Sequence, residues 1–400
     1  VRILLLSFFI PYPPDNGSKA RIYNLGRALA QQHEVWLIAM DERMPTPEQE
    51  TVLRSQFAQV SLFQRPAPGG RLARLRYLFT GYPPTLRQFY LPALQAEVRR
   101  VAAEFQPQVI QAGMLYMTQF LEGLPGASYT VLDEHNLEYH KELRRAEALA
   151  GPQAAYTRWR ADALRRFEVG VCRSLDLVLF PAAQEAELMG AQGVATAVIP
   201  NGVDLEYYTP LPQTDNPAVA FMGTYSYAPN EDAVLYFAGK ILPLIWQGNP
   251  HVRFFIIGPG ATVSIQALGA DPRIQVLGYV EDVRQALAEA ALLVAPLRFG
   301  GGTRLKVLDG MAMQRAVVST SLGCDGIPLN PGEQALIADR PQEFAAAVLE
   351  LLAHPDKRAR IAANGRRFVE AHYSWEQIGR DLLARYDRLI ADGKRERYSP

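Results

Sequence analysis

The segment Leu297-Arg298-Phe299-Gly300-Gly301-Gly302-Thr303-Arg304-Leu305-Lys306-Val307-Leu308-Asp309-Gly310-Met311 concentrates residue types that bind an anion. It follows an apolar run ending at Ala295, so the glycines stand where a strand turns into a helix. Three successive glycines lower the side-chain wall around a helix start, whose first N–H groups have no partner within the helix. Thr303 is placed to cap that start. Arg304 and Lys306 put two cations into the first turn, where the helix dipole disfavours them, and a diphosphate would compensate both. Lys306 and Asp309 lie three apart on one helical face. A plain surface ion pair is therefore the alternative account of those two side chains, and it leaves the triple glycine unexplained.

Five other loops carry groups able to do chemistry. Asn16-Gly17-Ser18-Lys19 precedes a helical pattern; Gly17 permits close approach to the backbone and Lys19 adds a positive charge, while the structural alternative is an N-cap by Ser18. Gly223-Thr224-Tyr225-Ser226-Tyr227-Ala228-Pro229-Asn230 follows an apolar run in the same way, with Gly223 where a phosphate would pass the backbone. Ile256-Ile257-Gly258-Pro259-Gly260 resembles a dinucleotide turn, but Pro259 and a missing third glycine spoil that fingerprint. Val276-Leu277-Gly278-Tyr279-Val280 offers main-chain groups beside a Tyr ring, which suits a base edge. Asp133-Glu134-His135-Asn136-Leu137-Glu138 follows a further β-type run, and His135 there could give a hydrogen bond or a proton to a bound sugar.

Positioning these loops requires strands that end at them. Short β-type runs alternate with longer helical patterns, the signature of parallel sheets with helices on both faces. The runs are Ile3 to Phe9, Val35 to Met40, Val60 to Phe63, Val109 to Gln111, Tyr129 to Leu132 and Leu177 to Phe180 in the first half. They resume at Val219 to Met222, Phe254 to Ile257, Ile274 to Leu277, Leu292 to Ala295 and Val317 to Thr320. Helices are expected over Ala20 to Gln32, Gln153 to Arg173 and Trp375 to Ile390. The polar, proline-bearing stretch Thr209 to Pro217 reads as a linker. The expected organisation is two Rossmann-like, doubly wound α/β domains, residues 1–205 and 206–374, facing each other across a cleft, with a helix over 375–392 crossing back.

The chain has 400 residues, 48% of them hydrophobic, enough for a core in each half. Lysine plus arginine balance aspartate plus glutamate at 41 each, which gives no sign of a nucleic-acid partner. The distribution is uneven: between Gln64 and Arg100, Glu97 is the sole acid against Arg65, Arg71, Arg74, Arg76, Arg87, Arg99 and Arg100. Tyr77, Phe79, Tyr82, Phe89 and Tyr90 are interleaved with them, so the stretch is either an anionic-membrane surface or a solvated helical face. Cys172 and Cys324 are far apart and lack metal-like spacing, which points to a reducing compartment. Ile3 to Ile10 is too short to span a bilayer, and no signal-peptide cleavage site follows it. A cytoplasmic protein is expected, with peripheral attachment at the inner face of the plasma membrane as an extension of the basic-stretch reading.

Over nearly its full length the sequence resembles the GT-B glycosyltransferases and, within them, glycosyltransferase family 4 (glycosyl transferases group 1). Four stretches carry the likeness in order: Pro13 to Arg21, Ile199-Pro200-Asn201-Gly202-Val203-Asp204, Phe221-Met222-Gly223-Thr224 with Pro229-Asn230, and Gly302 to Ala312. Tyr373-Ser374-Trp375-Glu376 looks like the start of the family's terminal crossover helix. The resemblance implies transfer of a sugar from a nucleotide-sugar donor, UDP- or GDP-linked, with retention of anomeric configuration and no required metal or other cofactor. The acceptor would be a glycan, lipid-linked or other hydroxyl, as in cell-surface polysaccharide synthesis.

Carried onto this chain, the resemblance makes Arg304 and Lys306 the stabilisers of the departing phosphate and puts His135 against the transferred sugar. Gly17, Ser18 and Lys19 in one domain, and Gly223, Thr224 and Gly258 in the other, would line the diphosphate. Gly301, Gly302, Thr303 and Leu305 would continue that lining, with Tyr279 and Val280 at the base and Asp309 on the ribose hydroxyls. The family's paired glutamates, separated by seven positions, fall on Gly301 and Asp309, so the first carboxylate is missing and the second is shortened. The family's Arg-Lys pair after the first strand of the second domain is absent too, since Thr224 to Tyr227 occupy that loop. Two other readings keep the fold: a nucleotide-sugar 2-epimerase, and a degenerate member that binds nucleotide or glycan without turnover.

Overall fold

The structure is a computed structural model that describes residues 1–66, 83–124, 128–147, 149–212, 216–300 and 304–391. The chain divides into two compact units, Val1–Asn201 with Ile378–Pro400, and Gly202–Gln377. Each is built on a parallel sheet. The first unit holds β1 (Arg2–Ser7), β2 (Glu34–Asp41), β3 (Gln59–Gln64), β4 (Val109–Gly113), β5 (Tyr129–Asp133), β6 (Leu177–Phe180) and β7 (Thr196–Val198), in the order β3-β2-β1-β4-β5-β6-β7. The second holds β8 (Ala218–Met222), β9 (Arg253–Ile257), β10 (Ile274–Gly278), β11 (Leu292–Ala295), β12 (Ala316–Ser319) and β13 (Leu336–Ile337), in the order β10-β9-β8-β11-β12-β13.

A parallel sheet covered by helices on both faces needs strands that are apolar throughout. In the second unit Val219, Phe221, Phe254, Ile256, Leu292 and Val294 belong to one apolar cluster, and Ala218, Ala220, Phe255, Ile257, Leu293 and Ala295 to another. Successive residues of each strand thus feed opposite faces, as the period of two requires. The helices that bear on function are α1 (Gly17–Gln32), α2 (Glu138–Glu147), α3 (Gly151–Ser174), α4 (Ala228–Tyr236), α5 (Leu305–Ala312) and α6 (Trp375–Ala391). Along α3 the residues Ala154, Thr157, Ala161, Leu164, Glu168 and Cys172 are buried at spacings of three and four, so one stripe faces the sheet.

The two units meet at Asn201 and Gly202, upstream of the 205/206 junction expected from the sequence. Gly202 stands where a Cβ would come within 2.6 Å of the Trp375 ring, and Val203 bridges to Ser374, which ties the chain to the second unit at once. The described part of the expected linker packs on that unit too, since Arg315 donates to the carbonyls of Leu211 (2.9 Å) and Pro212 (3.1 Å). Helix α6 begins in the second unit and ends in the first, where Gly379 lies against Ala28 and the Tyr386 hydroxyl donates to Gln111. Both cysteines are buried and free. Among the described residues no helix is long and apolar enough to cross a membrane.

Candidate functional site

In the second sheet β8 is flanked by β9 on one side and β11 on the other, so the winding reverses between β8 and β11. The crevice beyond such a reversal is where open α/β sheets bind ligands. Two loops leave there, Gly223 to Tyr227 into α4 and Leu297 to Arg304 into α5. Neither helix start is capped by a side chain, which leaves the amide ends of two helices directed at one place.

Lys306 occupies that place. Its ammonium donates to the Asn230 side-chain oxygen, lies 4.1 Å from the centroid of the Phe221 ring, and would be 3.2 Å from a Cβ built on Gly223. Asn230 is held in turn by donating to the Thr224 carbonyl at 2.9 Å. Burial, then repulsion from Arg304, pulls the Lys306 pKa down to about 7, against a weaker opposite pull from Asp309. Burial pushes the Asp309 carboxyl up to about 7, despite a hydrogen bond from Tyr208 and the attraction of Lys306. The surface ion-pair alternative therefore fails: both groups are largely covered, and each has found a different hydrogen-bond partner.

Arg304 plays another part. Its guanidinium donates to the carbonyls of Leu322 (3.0 Å) and Gly300 (3.1 Å), and the residue is 5% exposed. It braces the loop that delivers α5, and its charge acts on Lys306 at short range. Arg304 is also the N-cap of α5, which begins at Leu305. Thr303, Gly301 and Gly302 lie outside the described residues. Gly300 has φ +120°, and a Cβ there would meet Pro229 at 3.0 Å, so the turn lies directly on the start of α4.

Gly258 supports this loop from below. Its φ is +129°, and a Cβ would stand 2.1 Å from the Gly223 carbonyl oxygen. Gly223 N–H donates to Ile257 (3.0 Å) and Tyr225 N–H to Pro259 (2.9 Å), so the β8 and β9 exits are laced backbone to backbone. The glycine expected to line the diphosphate thus serves contact between two loops. Tyr279 is 76% exposed, its ring open for stacking, whereas Val280 and Leu305 are half-buried against the apolar cluster beneath. Thr224 is exposed, its carbonyl engaged by Asn230.

In the first unit Asn16, not Ser18, caps α1, because its side chain accepts from the Lys19 N–H at 3.1 Å and the helix already begins at Gly17. Gly17 is exposed and Ser18 half-buried. Lys19 is paired, 3.5 Å from Asp41 and 3.8 Å from Asp15, so its charge is not left over for an anion. His135 follows β5 and is 6% exposed. Its Nε2 stands 3.6 Å from Asp133, too long for a hydrogen bond, and has no hydrogen-bond partner among the described residues. Burial lowers its pKa, more than the neighbouring Asp133 raises it, so the ring is neutral at neutral pH.

Arg21 and Asp133, which sequence reading left without a role, hold this loop. Both are fully buried, and Arg21 reaches Asp133 through Nε (2.9 and 3.1 Å) and through a second nitrogen at 2.6 Å. Its other nitrogen donates to the Ile199 carbonyl (2.7 Å) and to Asn201 (3.0 Å). Burial alone would raise the Asp133 pKa, but Arg21 and the neighbouring His135 together outweigh it and hold the carboxyl at about 2. The signal was legible: Arg21 lies on the apolar stripe of α1 with Leu25 and Ala28, where a cation demands a buried partner. Glu134 and Glu168 were likewise missed. Glu168 accepts the N–H groups of Glu138 (2.9 Å) and Tyr139 (3.0 Å) at the start of α2. Glu134 is fully buried with neither oxygen hydrogen-bonded among the described residues, and burial beside Glu168 and Glu138 raises its pKa well above the usual range.

Of the basic stretch, Arg71, Arg74, Arg76, Tyr77, Phe79 and Tyr82 lie outside the described residues. Arg65 is buried, not solvated: it lies 4.2 Å from the Phe8 ring centroid, donates to the Phe8 carbonyl and pairs with Glu42 at 2.9 Å. Arg100 pairs with Glu97 and Glu104.

Comparison with known proteins identifies the lineage. The glycosyltransferase family 4 model matches residues 15–207, and the glycosyl transferases group 1 model matches residues 216–354. The chain belongs to glycosyltransferase family 4. An uncharacterised 44.6 kDa protein of the cps region of Klebsiella pneumoniae is 25% identical over 168 residues, 40% of this chain and 43% of that protein. A Corynebacterium glutamicum GDP-mannose-dependent monoacylated alpha-(1-6)-phosphatidylinositol monomannoside mannosyltransferase is 24% identical over 209 residues, 46% of this chain and 54% of that protein. The chain thus spans about half the length of these curated relatives. Anabaena Alr3699/HepE, solved with UDP and glucose, superposes with a TM-score of 0.65 at 17% identity, over 96% of this chain and 99% of that one. The family 4 chain therefore has the GT-B fold, two parallel-sheet α/β units of seven and six strands.

Proposed function

We propose that this family 4 chain is a retaining glycosyltransferase that moves a sugar from a nucleotide-sugar donor to a hydroxyl of a glycan or lipid-linked acceptor, without a metal. The observation that carries the reading is Lys306, poised over Gly223 between the uncapped starts of α4 and α5. A cation kept partly uncharged by burial, beside two positive helix ends, is complementary to a diphosphate. Transfer breaks the bond between the sugar's anomeric carbon and the diphosphate oxygen and forms one to the acceptor oxygen. The acceptor's proton passes to the leaving phosphate on the same face, so the products are a glycoside and a nucleoside diphosphate.

Lys306 meets the charge that grows on the leaving group, and Arg304 holds the loop that places it. Asp309 accepts from the ribose hydroxyls, the Tyr279 ring stacks on the base, and the unpartnered His135 nitrogen bonds a hydroxyl of the transferred sugar. UDP and UDP-glucose in the structural neighbour favour a nucleotide-sugar donor. The phosphatidylinositol mannoside acceptor and the cps region named for the two relatives favour a cell-surface glycan as product. Thermal-shift screening against UDP, GDP and their sugars identifies the donor, because a ligand bound only by the folded state raises its stability. Donor turnover is expected to fall a hundredfold or more in Lys306→Ala, about what loss of one transition-state contact costs. Unchanged turnover in that variant rejects the assignment.

A further inference from the structure

Three carboxyl groups lie together at the start of α2, and hydrogen-bond donors are shared unequally among them. Glu168 accepts the N–H groups of Glu138 at 2.9 Å and Tyr139 at 3.0 Å, so it caps α2 from the second half of α3. Glu138 accepts from the Tyr116 hydroxyl at 3.1 Å and pairs with Lys141. Glu134 is fully buried, and neither of its oxygens is hydrogen-bonded among the described residues. Folded proteins rarely leave a buried polar group unpaired, and glycosyl transfer as derived above gives this one no task.

The segment that carries Glu134 also carries His135. The Glu134 N–H donates to the Leu179 carbonyl at 2.9 Å, which prolongs the pairing of β5 with β6 by one residue. Side chains alternate along such a strand. Asp133 and His135 accordingly share one side, 3.6 Å apart and with Arg21 held on Asp133, while Glu134 faces the other side, towards α2 and α3. The groups that face it there are Glu168 and Cys172 on α3, Glu138 and Lys141 on α2, Tyr116 on the short helix Leu115–Phe120, and Glu185 on the helix Ala183–Gly190. Lys141 is the one cation among these groups, and it is exposed and paired with Glu138.

Neighbouring carboxyls shut off from water resist ionisation together. Burial raises both pKa values, Glu168 to about 8, and the two N–H donors at the start of α2 keep Glu168 the more acidic, so Glu134 is the last of the pair to lose its proton. We propose that Glu134 is a positioning residue for His135: its neutral carboxyl lets residues 134–137 stay folded against α2 and α3, and loss of its proton expels that segment and withdraws the imidazole. A carboxylate at this place meets no donor, and it reaches water only if the backbone swings out, because His135 and Leu137 are buried with it. The sign follows from the raised pKa: the segment is secure at low pH and loosens as pH rises from the unfolded value towards the folded one. The effect on the segment stands by itself, whereas the effect on turnover rests on the sugar contact given to His135 under the glycosyltransferase reading.

The test is amide hydrogen exchange of the full chain at pH 6, 7 and 8, read by mass spectrometry and corrected for the intrinsic rate at each pH, in wild type, Glu134→Gln and Glu134→Leu. The leucine variant is a second neutral replacement that brings no amide into the interior. Protection of residues 134–140 should fall with pH in the wild type, and both variants should lose about tenfold per pH unit of that slope, the share of one proton released on opening. Amides of β9 in the second unit should show no such difference. Turnover at saturating donor should have an alkaline limb in the wild type that both variants displace to higher pH, and the displacement should vanish when His135 is already replaced by Ala. A protection slope that is equal in wild type and variants overturns the proposal and assigns the titration to Glu168 or Glu138. A slope that responds while the turnover limb does not overturns the link to His135, and the fault then lies with the sugar contact and not with the segment.

Discussion

Protonation of Lys306 should govern donor binding, and pH is the perturbation that exposes it. In the ligand-free chain its pKa is about 7 against an ordinary 10.5. That depression corresponds to about 5 kcal/mol of lost preference for the charged form, at about 1.36 kcal/mol per unit. A phosphate charge about 4 Å away returns about 4 kcal/mol at the effective dielectric of a protein site, so a diphosphate restores the ammonium. Below pH 7 Lys306 is already charged and binding takes up no proton. Above pH 7 binding must protonate it, so the dissociation constant should rise about tenfold per pH unit up to the pKa of the bound state. The assay is isothermal titration of UDP or GDP at pH 7, 8 and 9, in buffers of different ionisation enthalpy. Wild type should show proton uptake near one per site at the alkaline end, and Lys306→Met a weaker affinity that loses most of the slope. An affinity independent of pH in the wild type, or an undiminished slope in Lys306→Met, would refute the reasoning.

Arg21→Ala should destabilise the first unit by about 3–5 kcal/mol, read as a lower denaturant midpoint, because it strands the buried Asp133 carboxylate. Gly258→Ala should cost at least about 2 kcal/mol and weaken nucleotide binding, since a Cβ would strike the Gly223 carbonyl oxygen and φ is +129°. Glu134→Gln should raise the melting temperature at pH 8 and leave it nearly unchanged at pH 4. The sign follows from the raised folded-state pKa: the stability that Glu134 contributes when protonated is lost as pH rises from the unfolded value towards the folded one. His135→Ala should lower transfer with little change in melting temperature, and wild-type turnover should show no histidine step between pH 8 and 7, because burial keeps that ring neutral there.

Lys306 was visible in the sequence as a cation in a helix's first turn, yet its hydrogen-bond partner Asn230 was not, because that residue is distant in sequence and helix spacing offers only Asp309, as the alternative ion pair. Strands β7 and β13 went unread for a simpler reason: at three and two residues they are too short to show a period.

The sequence by itself determined that this is a two-part parallel α/β protein, because buried strands must be apolar on both faces and glycines must mark their exits, and its ordered motifs carried the resemblance to glycosyltransferase family 4. It also located the turns at Gly17, Gly223, Gly258 and Gly300. Tertiary structure alone decided what each charge near those turns does. Lys19 is spent on Asp15 and Asp41, Arg304 on backbone carbonyls, and Arg65 under a Phe ring. Lys306 keeps its position against the β8 exit. The reason is physical: the state of a charge depends on the burial and partners that distant segments bring to within a few ångströms, and local spacing carries neither.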